Sequence, residues 1–425
     1  MTAAPPPDSD SSADPYAKVR RVWLWSQVIS SLGSAMVWLA SSYIIFDQSR
    51  SVAVTALISA SWSLPPLLLP GVATALVNRF GGPRTFMARY LASAVLAVIP
   101  VILVLTGHLG TTSLLLWSLL MSTSAGLFSP SATIVKTMLA PRSMSSDFNA
   151  DVARAAALAS VLGTLLGGVV LTAFGPLWIF VFNSISYLAP ALSVVPLLRT
   201  AVPHALTRER FRSIIGLLLG PSARRDLHAA CIFTSVGILI GGYTVTLPAI
   251  ARSVGTSPNL LALLQIAAAF GGLLTVRAIR LLHGRVQWGT VQRGCLAAMG
   301  IGVLVVAWAS RIRDEPALTL ALSTVAVLAI GFAFNLDQTI LNSAVQLSTP
   351  KESQAVFFTY YALIPLVVEP ASQAVIGVVA DRWSVSVALA ILGVLTLMLV
   401  TLGPHLQIRT AFDTMSDADN PPAAK

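Results

Sequence analysis

The chain has 425 residues, 55% of them hydrophobic and only 10% charged, with a mean hydropathy of +0.79. That balance excludes a large soluble core and indicates an integral membrane protein. The net charge of +10 would suit a nucleic-acid binder, but the basic residues sort by loop, so no nucleic-acid partner is expected.

Residues 1–17 read as a disordered tail, acidic and proline-rich. The first apolar run is too long for a signal-peptide core, so no cleaved leader is expected. Twelve apolar spans follow, near 22–46, 52–77, 86–106, 112–138, 152–174, 177–198, 228–250, 259–282, 290–310, 317–347, 355–379 and 384–403. They divide into an N-terminal six-helix half, 18–198, and a C-terminal six-helix half, 228–403. Between them, 199–227 forms a cytoplasmic connection. Its stretch RERFRSIIGLLLGPSARRDL reads either as an amphipathic helix on the inner membrane surface or as a flexible linker. Residues 404–425 are a polar tail.

With the N-terminus in the cytoplasm, all but five of the 27 Lys and Arg fall on the cytoplasmic side; the exceptions are Arg50, Arg252, Arg311, Arg313 and Arg382. This asymmetry satisfies the positive-inside rule, and an even span count then leaves both termini cytoplasmic. The excess of positive charge is mostly orientation, with some attraction to anionic lipid. Spans four and ten support an internal repeat. Aligning Pro141 with Pro350 matches Ser129, Thr133 and Thr137 with Gln338, Asn342 and Gln346, polar at i, i+4 and i+8.

Of 17 acidic residues, only Asp337 and Glu369 fall inside spans. Glu369 lies near the middle of VFFTYYALIPLVVEPASQAVIGVV, where a charge costs on the order of 3 kcal/mol and marks a transport path or a partner. Pro365 and Pro370 bracket it and should kink the helix there. A carboxyl in low dielectric can take up and release a proton near neutrality, and a cationic substrate would expel that proton. Glu369 is therefore the first candidate for proton coupling. The alternative is a permanently protonated side chain bonded to Gln373. Asp337 is the second candidate, or it pairs with a basic residue or caps a helix break.

Substrate-cavity candidates are Gln27, Ser34 and Trp38 on span one, Trp62 on span two, Tyr243 on span seven, Gln338 and Asn342 on span ten, and Tyr361 and Gln373 on span eleven. Their aromatic rings could stack on a flat or cationic ligand. The alternative for the serines and amides is bonding within and between helices. Trp23 and Trp25 read as interface anchors. Pro65, Pro66 and Pro70 should break span two, and Pro248 span seven. No phosphate-binding G-x-x-x-x-G-K-[ST] loop occurs, which argues against ATP drive. The histidines lack ligand spacing, and neither metal, cofactor nor enzymatic activity is expected. Cys231 and Cys295 lie in apolar stretches and imply no disulfide.

Twelve spans, the 6+6 division, the basic central connection and a basic loop after span two resemble the major facilitator superfamily. That family's loop motif runs G-x-x-x-D-R-x-G-R-R. Here Asn78-Arg79-Phe80-Gly81-Gly82-Pro83-Arg84 keeps the first Arg, the Gly and a later Arg, with Thr74 for the first Gly and Asn78 for the Asp. The resemblance implies a conformational latch at Asn78, Arg79, Gly81 and Arg84, weakened by the missing carboxylate. Gly163-Thr164-Leu165-Leu166-Gly167-Gly168 is similar to the antiporter motif GP-x-x-GG and implies close helix packing through Gly163, Gly167 and Gly168. The R-x-x-Q-G motif of many drug–proton antiporters is absent. Short pieces such as Phe182-Asn183-Ser184-Ile185-Ser186-Tyr187 resemble the enterobactin-exporter and macrolide-efflux branch.

The expectation is an all-α major facilitator fold in the cell membrane, monomeric, exchanging protons for an amphiphilic or cationic organic compound such as an antibiotic. The rival readings are an importer of the same fold and a transport-inactive sensor, scaffold or scramblase.

Overall fold

The computed structural model describes residues 16–140, 145–199, 235–282, 287–312, 314–348 and 363–402. Both tails, nearly all of the 199–227 connection, Tyr361 and the Pro141–Pro350 alignment points lie outside the described residues. Among those described, the chain is helical and contains no strand. An apolar chain in lipid must satisfy its backbone internally, and helices do so within each span. Among the described residues, nine helices are long and apolar enough to cross a membrane, or up to eleven if each of two bent pairs counts as one span. A shorter apolar helix, Val385–Thr401, follows at the position of the twelfth expected span.

Span one is Ala17–Ser49. Span two is broken into Val52–Leu68 and Pro70–Phe80, bent by 59°. The cause is the expected one: Pro70 has no N–H to continue the ladder but suits the first turn of a new helix. Span four breaks similarly, by 46°, between Thr111–Leu127 and Ser129–Leu139, with Pro130 in the new first turn. In span seven the irregularity is a 3-10 segment, Gly241–Thr246, ahead of helix Leu247–Val254. Pro248 sits in the first turn of that helix, as Pro70 does in span two, and has no N–H to bond the Thr244 carbonyl within the 3-10 segment; the Gly241-Gly242 pair begins the distortion. Span eleven, Leu363–Arg382, stays one helix through Pro370.

Spans five (Ser145–Phe174), six (Pro176–Ser193), eight (Pro258–Leu282), nine (Trp288–Ala309) and twelve (Val385–Leu402) lie close to their expected limits. Span ten, Pro316–Ser348, is a single 33-residue helix. At 1.5 Å per residue it is about 50 Å long, so it projects beyond the hydrocarbon layer.

Two apolar cores form. One is built from spans one to six, around Met36, Phe86, Trp117, Ile179 and Phe180. The other is built from spans seven to twelve, and takes in Leu39, Phe46, Val52 and Ala56 from the first half. Trp23 corrects its expected role as an interface anchor. It is 2% exposed, with Phe86 and Phe148 rings 6.3 and 5.7 Å away, because its face of span one turns into the first core. Trp25, two residues on, is 63% exposed.

Candidate functional site

A cavity of about 270 Å³ opens between the two halves. Trp38, Thr55 and Thr164 contribute from the first half; Tyr243, Gln265 and Gln373 contribute from the second. A neighbouring cavity of about 330 Å³ lies within the first half, against Val37, Ile58, Trp62, Trp117 and Tyr187. Trp38 and Ile58 line both, so the two adjoin through a shared wall. The second cavity is aromatic and aliphatic. Trp117 donates its indole N–H to the Leu96 carbonyl, 2.9 Å away, so its polar edge is satisfied elsewhere. Ser34 Oγ lies 3.3 Å from the Tyr187 hydroxyl and donates to the Ser30 carbonyl at 2.9 Å.

Gln373 forms the polar end of the inter-half cavity. It is 2% exposed, and its amide nitrogen donates to Glu369 Oε1 at 3.1 Å and to Thr244 Oγ1 at 3.0 Å. Its amide oxygen is buried with no hydrogen-bond partner. A buried acceptor left unsatisfied costs free energy and invites a donor. Glu369 stands behind Gln373, one helical turn earlier, facing the backbone notch at Gly241. The 3-10 segment of span seven places Thr244 against Gln373, and Ser372 Oγ donates to the Leu239 carbonyl of the same span.

Asp337 is fully buried and lines neither cavity. The expected basic partner is corrected: Gln292 of span nine donates to Oδ1 at 3.1 Å, and Gln338 donates to Oδ2 at 3.2 Å. The space for the carboxyl comes from Gly237, whose position would put a Cβ 2.8 Å from Oδ2. Asp337→Leu should lower the melting point in detergent, since the buried Gln292 amide loses its acceptor at about 1–3 kcal/mol and the half-buried Gln338 amide loses one at less. Asp337→Asn keeps an acceptor and should melt closer to wild type.

The structure thus gathers Ser34, Trp38, Trp62, Tyr243 and Gln373 around the two cavities. Gln27 is elsewhere, accepting from the Tyr90 hydroxyl at 2.9 Å. Gln338 is engaged with Asp337, and Asn342 is exposed on span ten. Thr164, Thr244, Gln265 and Gln292 were missed. Each is a polar residue in an apolar span, a signal shared with many residues that only bond to their own helix.

In the loop after span two, Gly81 has φ of 82°, a conformation that favours glycine, and Arg79 lies over the Phe80 ring at 5.3 Å. Asn78 sits in the last turn of Pro70–Phe80, and Arg84 is exposed at the start of span three. Gly163 and Gly167 face span one, where an added Cβ would lie 2.8 Å from Ala35 Cβ and 3.0 Å from Met36 Cα.

The transmembrane secretion effector family model matches residues 11–424. No curated protein sequence matches the chain. Among solved structures, a bacterial homologue of the iron transporter ferroportin in an inward-facing state superposes with a TM-score of 0.70 at 11% identity, over 94% of this chain and 98% of that one. An auto-inhibited peptide transporter of the POT family gives 0.68 at 12% identity, over 92% and 97%. A bacterial homologue of the human lysosomal transporter Spinster, inward-facing and unoccupied, gives 0.64 at 13% identity, over 97% and 100%. At these identities the likeness is one of fold.

Proposed function

The chain belongs to the transmembrane secretion effector family, within the major facilitator transporters, and on that premise we propose that it exports an amphiphilic or cationic organic compound in exchange for protons, by alternating access. The observation that supports this reading most is the Glu369–Gln373–Thr244 chain at the wall of the inter-half cavity. The partnerless amide oxygen of Gln373 offers an acceptor to a substrate N–H, such as that of an ammonium group. Trp38 and Tyr243 add ring faces to the same cavity, suited to a cation. The adjoining aromatic cavity suits the apolar part of the same molecule.

The coupling works by competition. Glu369, protonated in the empty state, accepts from the Gln373 amide nitrogen through Oε1. A cation arriving at Gln373 favours the ionised carboxylate, and the proton leaves on the side to which the cavity is open. We assign the exchanged proton to Glu369 rather than Asp337, because Glu369 bonds directly to Gln373 on the wall of the inter-half cavity, whereas the amides that hold Asp337, Gln292 and Gln338, line neither cavity.

Cells producing the protein should accumulate less of a lipophilic cation that carries N–H donors, such as rhodamine 6G, than cells producing Glu369→Gln. Collapsing the proton gradient should erase the difference. Higher accumulation would instead identify an importer of the same fold, and unchanged accumulation across a panel of cations and neutral antibiotics would favour the transport-inactive reading.

A further inference from the structure

The two halves meet through a matched pair of glycine contacts. Gly168 of span five lies against the first turns of span eight, where an added Cβ would be 2.7 Å from Ala262 Cβ and 2.9 Å from Asn259 Oδ1. Gly377 of span eleven lies against the start of span two, where an added Cβ would be 2.7 Å from Ala53 Cα. One turn beyond each glycine the match ends. Thr172 bonds back to the Gly168 carbonyl at 2.8 Å and stays within its own half. Asp381 instead reaches across: Val52 N donates to Oδ1 at 2.8 Å, Ala53 N to Oδ2 at 3.2 Å, and Ser51 Oγ donates to Oδ2 as well.

The carboxylate therefore caps the N-terminus of a helix in the opposite half. Unpaired backbone N–H groups and the positive end of the helix dipole converge there, and each bond is charge-assisted. Two further polar bridges join the halves at the same end of the bundle, where span one finishes. Arg252 of span seven pairs with Asp47 at 3.2 Å, and the Tyr43 hydroxyl donates to the Thr256 carbonyl. The pattern Gly-x-x-x-Asp-Arg, altered to Thr74 and Asn78 in the loop after span two, stands whole at Gly377–Arg382.

We propose that Gly377 and Asp381 form an inter-half latch that holds this end of the transporter closed, and that opening this end requires the Asp381 bonds to the start of span two to break. The glycine brings the two backbones into contact, and the carboxylate one turn later locks them. With the basic loops on the cytoplasmic side, the end held shut is the outer one, so the latch favours the inward-facing state. The latch rests on geometry at one end of the bundle and is independent of the solute carried and of Glu369.

The test is a spin-label distance measurement on purified full-length protein in lipid nanodiscs, with Cys231 and Cys295 replaced by Ala. Labels at His108→Cys and Asp314→Cys, both exposed and on opposite halves, report on the latched end without touching it. Wild type should give a single dominant distance, that of the closed end. Asp381→Ala should raise the ratio of separated to closed ends by about tenfold or more. Ser51→Ala, which removes one donor of the set, should shift the ratio the same way by less. An unchanged distance distribution in Asp381→Ala protein that elutes as a single species would overturn the latch, as would an unchanged distribution in Ser51→Ala if Asp381→Ala does not fold.

Discussion

Glu369→Gln should abolish gradient-driven export while leaving downhill exchange of the same compound. Gln is close in shape to Glu, and its carbonyl can still accept from the Gln373 amide that now lies 3.1 Å from Glu369 Oε1. The cavity and its Trp38, Tyr243 and Gln373 walls are retained. What is lost is the exchangeable proton. Uphill transport by proteoliposomes with an imposed pH gradient should fall to the background of empty vesicles, and efflux from preloaded vesicles without a gradient should continue. Uphill transport that survives the substitution would remove Glu369 from the coupling and direct attention to Asp337.

Gly331→Leu should prevent recovery of folded protein. Gly331 of span ten and Gly271 of span eight interlock: a Cβ on Gly331 would collide with the Ala268 carbonyl, and a Cβ on Gly271 would lie 2.7 Å from Phe332 N. The obstacles are backbone atoms, which cannot swing aside as a side chain can. Overpacking of this kind costs on the order of 3 kcal/mol or more, a large part of a typical margin of stability. Gly294→Ala is the contrasting case. Nothing lies within 4 Å of the position an added Cβ would take there, and alanine favours helix by up to about 1 kcal/mol. Yield of monodisperse protein should therefore collapse for Gly331→Leu and hold for Gly294→Ala.

These two glycines show where sequence reading reaches its limit. Hydropathy places the spans well, because a bilayer forces each crossing segment to be apolar and helical along its whole length. Pro70 announces the bend in span two because a missing N–H acts locally. Pro130 carries the same signal in span four; in span seven the 3-10 segment begins at Gly241–Gly242, a weaker signal, since glycine in a membrane helix more often serves packing. Gly271 and Gly331 look no different in the sequence from Gly294, and only the neighbouring helix separates an interlock from an open face. The candidate site follows the same rule. Glu369 and Gln373 are one turn apart and their bond is visible from spacing alone. The third member, Thr244, belongs to another span, and Gln292 reaches Asp337 from 45 residues away. Span ten is a single 33-residue helix, longer than one crossing needs, because nothing in its sequence interrupts the helix where the apolar layer ends.

The most direct measurement uses inside-out vesicles holding a respiration-driven proton gradient, read by a pH-sensitive dye. Rhodamine 6G and a panel of cationic and neutral antibiotics are added in turn to vesicles containing wild type or Glu369→Gln. Proton-coupled export predicts prompt proton release with at least one compound in wild type and none with that compound in Glu369→Gln. Equal release from both proteins, or none from wild type with any compound, would contradict proton exchange at Glu369.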